Sequence, residues 1–179
     1  MGRKWTKEKA KKSVIWRHYI VIKDLDMIKE LARLKESEVE LMLKAPVLLC
    51  ILIAGADGTI DRKEIKEAIH VTVKKKDKTI LDNYFKEVSQ DFEDKLKILL
   101  QSYPYESTQR NPILIQELSQ LNPILKKLDK LSSKPFYDML KELAEKIAGS
   151  SGGFWGMMSV DSEEAKYIRL PMLEDPSLK

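Results

Sequence analysis

Two short segments of the chain place acidic residues at the same spacing after a glycine-containing turn. Residues 55–64 and residues 153–164 each end in a β-branched residue followed by Asp-x-x-Glu, and the first segment holds one further aspartate. Carboxylate oxygens are the ligands that hard divalent cations such as Ca²⁺ and Mg²⁺ prefer. The side chains that could form such a metal site are Asp57, Asp61, Glu64, Asp161 and Glu164.

The same spacing also satisfies a helix capping box, which needs no metal. Asp61 and Asp161 stand where the N-cap residue of a following helix belongs, and Glu64 and Glu164 can reach back to that cap. Asp57 has no such role, and it follows an apolar helix whose dipole disfavours a carboxylate at that end. A helix N-terminus, a lysine or a metal ion would stabilise Asp57 there.

The first segment also matches the second half of an EF-hand calcium loop. Gly58 takes the sixth position of that loop and Glu64 the twelfth. The first and third positions fall on Ile53 and Gly55, which offer no side-chain oxygen, so two principal ligands are missing. A standard EF-hand is not expected, but a site that borrows carboxylates from the second segment is chemically reasonable.

Helical periodicity dominates the segments that must position these carboxylates. Only 7 of the 179 residues are glycine, six of them in the two turns, so the chain lacks the regular turn signals of a sandwich or barrel. We predict an all-α fold, a single compact helical domain of about seven to eight helices. The repeated motif further predicts two pseudo-repeated helix–turn–helix halves.

Local signals predict where several of these helices lie. Residues 47–54 are apolar on every side, which is typical of a helix at the centre of a bundle. Pro46 stands where a first-turn proline belongs. The Asn-Pro pairs at 111–112 and 122–123 predict two successive helices or one kinked helix, and Pro135 predicts the start of a last long helix. Residues 101–109 predict a loop. Leucines at heptad spacing predict a core stripe within one chain: Leu114, Leu118, Leu121, Leu125 and Leu128.

Other reactive side chains give no catalytic constellation. Glu67 and His70 have the Glu-x-x-His spacing of di-iron bundles, but such sites need two of these motifs. Cys50 lies inside the most apolar segment, where it serves as core filler. The chain has no phosphate loop, nucleophile elbow or paired-histidine motif. We therefore expect a protein that is not an enzyme.

The charge of the chain is distributed unevenly. Residues 1–23 carry eight basic side chains and only one acidic side chain, so the remaining residues are net negative although the whole chain is +4. We predict a basic N-terminal arm over residues 1–23 and a helical domain over residues 24–179. The arm contacts nucleic acid or an anionic membrane surface, or it docks on the domain through Trp16 and Ile20.

The motifs taken together resemble a known family. Pro46 precedes the apolar helix and the sequence Ala56-Asp57-Gly58-x-Ile60-Asp61-x-x-Glu64, and Ser151-Gly152-Gly153-Phe154-Trp155-Gly156 precedes Val160-Asp161-x-Glu163-Glu164. Over roughly residues 25–175 this arrangement is similar to the tellurite-resistance TerB-like family. The resemblance implies a compact all-α fold with two related halves, no established enzymatic activity, and an association with stress, tellurite resistance, phage defence and membrane-linked assemblies.

The resemblance also implies a site. It assigns Asp57, Asp61 and Glu64 to a first acidic motif and Asp161 and Glu164 to a second, and these clusters would bind a divalent cation. The chain departs from the family at 150–153, where Ser-Ser-Gly-Gly replaces the expected Asp-Gly and removes one carboxylate.

Two further expectations concern location and partners. One cysteine excludes an internal disulfide and suits a reducing compartment, and the longest apolar run, residues 45–56, is too short to span a membrane. We therefore expect a cytoplasmic protein with a protein partner that the sequence does not identify. The alternative function is a structural interaction protein without metal, in which all the carboxylates are caps.

Overall fold

The computed structural model describes residues 31–55, Tyr84, Val88, residues 92–151 and residues 166–178. These residues form five α-helices and no strand, which confirms the all-helical class for this part of the chain. The predicted seven to eight helices and repeated halves stay predictions. The helices are α1 (Glu36–Ala54), α2 (Phe92–Ser102), α3 (Ser107–Ser119), α4 (Leu121–Leu125) and α5 (Lys130–Ser151), with 3₁₀ turns at Leu31–Arg33 and Pro176–Leu178.

Helix α1 is the central element of the described fold. It contacts each of the other four helices, and residues 47–53 are at most 1% exposed. A helix that is apolar on all sides gains from burial on all sides, at roughly 1.5–3 kcal/mol for each large side chain. The prediction of a central apolar helix is confirmed. Cys50 is fully buried in it, and burial raises the pKa of its thiol.

Pro46 lies inside α1, so the predicted helix start at this residue is wrong. The helix begins ten residues earlier, at Glu36. A proline in a helix leaves the carbonyl four residues before it without its usual donor. Here that carbonyl belongs to Met42, and the Tyr84 hydroxyl donates a 2.8 Å hydrogen bond to it. Because a buried side chain replaces the missing donor, α1 continues through the proline.

The helix starts predicted at Pro112 and Pro135 are also wrong, whereas α3 and α4 are two successive helices, as the Asn-Pro pairs predict. Pro112 lies within α3, which begins at Ser107, and Pro135 lies within α5, which begins at Lys130. The Asp129 carboxylate caps α5 by accepting a 2.9 Å hydrogen bond from the Ser132 amide. Pro123 lies within the five-residue α4. Proline prefers the first helical position, but other residues decide where these helices begin.

The predicted loop over residues 101–109 is shorter in the structure, since only residues 103–106 separate α2 from α3. The predicted leucine stripe is confirmed as core. Its first four members are at most 4% exposed, and the fifth packs against the same cluster: Leu114, Leu118, Leu121, Leu125 and Leu128.

Helices α1 and α3 run in opposite directions. Lys44 in the first half of α1 forms an ion pair with Glu117 near the end of α3. At the other end, Arg110 near the start of α3 donates to the carbonyl of Gly55, the residue that follows α1. Two contacts in reverse order along the chain define an antiparallel pair.

Helices α1 and α5 run in the same direction. Lys127, just before α5, forms an ion pair with Glu38 in the first turn of α1. Tyr84 then joins Met42 of α1 to Phe136 of α5, with a ring-centroid distance of 5.4 Å to the phenylalanine. The two helices contact each other directly. Their C-terminal ends therefore lie at the same end of the bundle.

The C-terminal segment returns to the opposite end of the bundle, where α4 holds it. The Asn122 side chain donates a 3.0 Å hydrogen bond to the Met172 carbonyl and accepts a 2.8 Å hydrogen bond from the Glu174 amide. An asparagine that had been predicted to cap a helix instead binds a neighbouring segment of backbone. Leu170 lies two residues before Met172. It has a left-handed φ of 51° and is 1% exposed.

Candidate functional site

The five predicted metal ligands lie outside the described residues. The same holds for the basic arm over residues 1–23 and for His70. The structure does describe the ends of α1 and α5, after which the two acidic segments begin. Within the part of the chain that is described, no three His, Cys, Asp or Glu side chains form a group that could hold a metal ion.

The end of α1 is capped without a left-handed residue. Gly55 has a φ of −103°, and its amide donates a 3.2 Å hydrogen bond to the Ile51 carbonyl. The carbonyl of Gly55 accepts a hydrogen bond from the Arg110 guanidinium. A guanidinium at a helix C-terminus interacts favourably with the helix dipole. The first acidic segment therefore begins beside a fixed positive charge.

Arg110 is an unusual side chain because it is buried and forms no ion pair with any of the described acidic residues. It is 4% exposed, and a second nitrogen of its guanidinium donates a 2.8 Å hydrogen bond to the Tyr105 carbonyl. Its Nε has no hydrogen-bond partner, and no described carboxylate forms an ion pair with it. Burial lowers the pKa of Arg110, but an arginine stays charged in proteins. The neighbouring Asn111 also carries a buried oxygen, Oδ1, without a partner.

The end of α5 differs from the prediction in one respect. Gly149 was expected to belong to the second glycine turn, but it lies within α5, which continues to Ser151. A methyl group at this position would meet no atom within 4 Å, so packing does not require glycine there. The second turn therefore begins no earlier than residue 152.

A groove opens at the other end of the bundle, between the start of α1 and the helices α3 and α4. It has a volume of about 470 Å³. Six of its nine lining residues are polar or charged, and three are apolar. The lining residues are Ser37, Glu38, Glu40, Leu41, Lys44, Glu117, Gln120, Pro123 and Ile124.

Two side chains of the groove lining, Lys44 and Glu117, form a closed network with the neighbouring Tyr103. Glu117 accepts hydrogen bonds from Lys44 and from the hydroxyl of Tyr103. The Lys44 ammonium also lies 5.8 Å from the centre of the Tyr103 ring. Burial and the neighbouring Glu117 raise the pKa of the Tyr103 hydroxyl. Each of these three side chains has an interaction partner within the network. The network is therefore better suited to hold the helices together than to transfer a proton.

The remaining carboxylates of the groove differ in their partners. Glu38 accepts a 2.9 Å hydrogen bond from the Lys35 amide and pairs with Lys127, and these hydrogen bonds lower its pKa. Glu40 is exposed and has neither a hydrogen bond nor an ion pair with another described residue. Glu40 is therefore the one acidic side chain in the lining of this groove that is free to meet a new cation, as far as the described residues show.

Sequence reasoning did not find Lys44 or Arg110. Lys44 carries the only charge between Glu40 and Asp57, and a single charged residue in a long apolar stretch was the available signal. Arg110 lies in a polar segment and gives no such signal, since its burial depends on the antiparallel arrangement of α1 and α3.

Comparison of the chain with known protein families, with curated proteins and with solved structures finds no match. The resemblance to the TerB-like family therefore rests on the spacing of its motifs alone. Among the described helices, none is both long enough and apolar enough to cross a membrane.

Proposed function

We propose that this protein is a non-enzymatic helical interaction module, similar to the TerB-like proteins, that binds a divalent cation at one end of its bundle. The ligands are the five predicted carboxylates, and the cation is Ca²⁺ or Mg²⁺. The roles in stress and tellurite resistance that the resemblance implies belong to this proposal. So does a cytoplasmic location, for which the single buried thiol of Cys50 is suited.

The parallel direction of α1 and α5 is the observation that carries the proposal. The negative ends of both helix dipoles lie at the same end of the bundle, and each helix leads into an acidic segment. Asp57 is two residues beyond Gly55, so its Cα lies within about 7 Å of the Gly55 Cα. In the proposed site both acidic segments stay beside the helices that they follow, and a cation there would offset the charge of the carboxylates and of the two helix ends.

Arg110 limits how a cation would fit this end. Its guanidinium already binds the Gly55 carbonyl, so a cation coordinated by that carbonyl would meet a positive charge. One guanidinium offsets only part of the charge of five carboxylates. The proposed cation is therefore held by carboxylate oxygens of both acidic segments and not by the backbone at the end of α1.

Metal titration of the full chain tests this function. We expect millimolar Ca²⁺ or Mg²⁺ to raise the melting temperature and to give a binding signal in calorimetry, because a ligand that binds only the folded state stabilises it. The variants Asp57→Asn and Asp161→Asn should each weaken the effect. Glu145→Gln, at an exposed position of α5, is the matched control and should leave the effect unchanged. No shift and no heat at millimolar metal would remove the cation from the proposal.

Arg110 favours a second candidate function. If its guanidinium is the positive neighbour that Asp57 requires, all the carboxylates act as caps or ion-pair partners and the protein works without metal. The module would then contact nucleic acid or an anionic membrane through its basic arm. This function predicts polyanion binding that weakens steeply with salt and is lost on deletion of residues 1–17. Binding that survives the deletion would count against it.

A further inference from the structure

The groove at the start of α1 lies close to the first described residues of the chain. The described chain begins at Leu31, and α1 begins at Glu36. Four of the groove residues, Ser37, Glu38, Glu40 and Leu41, lie within the first six positions of α1. The groove therefore lies near the point at which the described chain begins, and the arm precedes that point in the sequence.

The charges of the groove and of the arm are complementary. Three carboxylates line the groove, from Glu38, Glu40 and Glu117. Lys127 pairs with Glu38 and Lys44 pairs with Glu117, so Glu40 is the carboxylate of the lining that has no partner among the described residues. The arm carries eight basic side chains and one acidic side chain. A basic segment of this chain is therefore the occupant that the charges favour.

The groove also offers a small apolar surface. Pro123 is exposed at its edge, and Leu41 and Ile124 lie beneath it. The arm contains Trp16 and Ile20, and a tryptophan ring packs well against a proline ring. Trp16 lies fifteen positions before Leu31, and a chain of that length spans up to about 50 Å when extended. The arm is long enough for Trp16 to contact any residue of the groove.

We propose that residues 1–23 dock in this groove of the same chain, with arm lysines against Glu40 and with Trp16 against Pro123. Docking occupies the basic side chains that would otherwise bind a polyanion. Nucleic acid or an anionic surface must then compete with the groove for the arm. Docking does not depend on metal binding, because the groove lies at the opposite end of the bundle from the C-terminal ends of α1 and α5.

Zero-length cross-linking of the full chain tests this proposal. A carbodiimide joins a lysine to a carboxylate only when the two are in contact, and mass spectrometry identifies the linked peptides. We expect monomeric protein to give links between arm lysines and Glu40, and fewer links at high salt, because salt screens exposed charges. Links from the arm to Glu145 on α5 should be rare. Arm links that favour Glu145, or links within a mixture of isotope-labelled and unlabelled chains that join different copies, would overturn the proposal.

A charge-reversal variant sharpens the test. Glu40→Lys should lower the yield of arm links at Glu38 and Glu117 about two- to fivefold, as expected for exposed charge pairs. It should also raise the affinity of the chain for a short DNA duplex, because the arm is released. The control Glu145→Lys adds the same charge on α5. Equal effects of the two variants on link yield and on DNA affinity would contradict docking in the groove, and circular dichroism checks that both variants fold.

Discussion

Tyr84 illustrates how one buried hydroxyl decides the length of the central helix. Its hydrogen bond to the Met42 carbonyl replaces the donor that Pro46 lacks, and its ring packs edge-on against Phe136. The residue is fully buried, and burial raises its pKa well above that of a free tyrosine. Helix continuity, aromatic packing and the relative position of α1 and α5 therefore depend on the same side chain.

Replacement of Tyr84 by phenylalanine should destabilise the protein by about 1–3 kcal/mol, because the buried Met42 carbonyl loses its donor. Urea denaturation measures the change. Tyr105→Phe is the control, since that side chain is 83% exposed and should change stability little.

A double-mutant cycle separates this hydrogen bond from packing. In a Pro46→Ala background the alanine amide can donate to the Met42 carbonyl, so the cost of Tyr84→Phe should become smaller. An equal cost in both backgrounds would show that Tyr84 does not substitute for the missing proline donor.

Arg110→Met should destabilise the fold by about 1–3 kcal/mol, because the carbonyls of Gly55 and Tyr105 lose a charged donor. Thermal and urea denaturation measure the loss, with the exposed Arg169→Met as the control. If Arg110 also opposes a bound cation, the variant should bind Ca²⁺ more tightly than the natural chain. Unchanged stability would mean that the guanidinium does not hold the end of α1.

At the level of helices, the start of α1 depends on the Glu38 carboxylate, which accepts the Lys35 amide and pairs with Lys127. These bonds lower the pKa of Glu38 below its usual value. A carboxylate with a lowered folded-state pKa contributes stability above its unfolded pKa and loses that contribution as the pH falls through the folded value. The contribution should therefore be complete at neutral pH and absent in strong acid.

Glu38→Gln should lower the melting temperature at pH 7, and the difference from the natural chain should shrink as the pH falls below about 4.3, the unfolded pKa of glutamate. Melting curves from pH 7 to pH 2.5 measure this dependence. Glu36→Gln, in the same helical turn, is the control. A difference that stays constant over this range would mean that the charge of Glu38 contributes nothing.

The sequence predicted these helices better than it predicted their ends. The apolar run over residues 47–54 indicated a central helix because no polar face was available for solvent, and the leucine stripe through Leu114 and Leu125 indicated core for the same reason. The prolines at 46, 112 and 135 gave wrong helix starts, because a helix continues past a proline with the help of tertiary contacts. For Pro46 it is a tyrosine 38 positions later in the chain. Local patterns do not contain that information.

The same limit applies to the candidate sites. The acidic motifs could be found because their residues are close together in the sequence. The pairs Lys44–Glu117 and Arg110–Gly55 join residues that are 73 and 55 positions apart. They exist only because α1 and α3 are antiparallel, so no spacing rule could predict them.

For the whole molecule, the two ends of the bundle have different chemistry. One end holds the C-termini of α1 and α5 and leads into both acidic segments. The other end holds the groove, the hydrogen bonds of Asn122 to the C-terminal segment, and the first described residues of the chain. We infer that the two ends act separately, with a cation at the first and the arm at the second.

The most direct test of this arrangement is an experimental structure of the full chain grown with millimolar Ca²⁺. A shared cation held at 2.3–2.6 Å from each ligand would bring the carboxylate oxygens of Asp57 and Asp161 within about 5 Å of each other. We predict that separation, with Glu64 at the same ion. Carboxylates more than about 10 Å apart, with each turned back onto its own helix as a cap, would contradict the cation site and leave only the structural role.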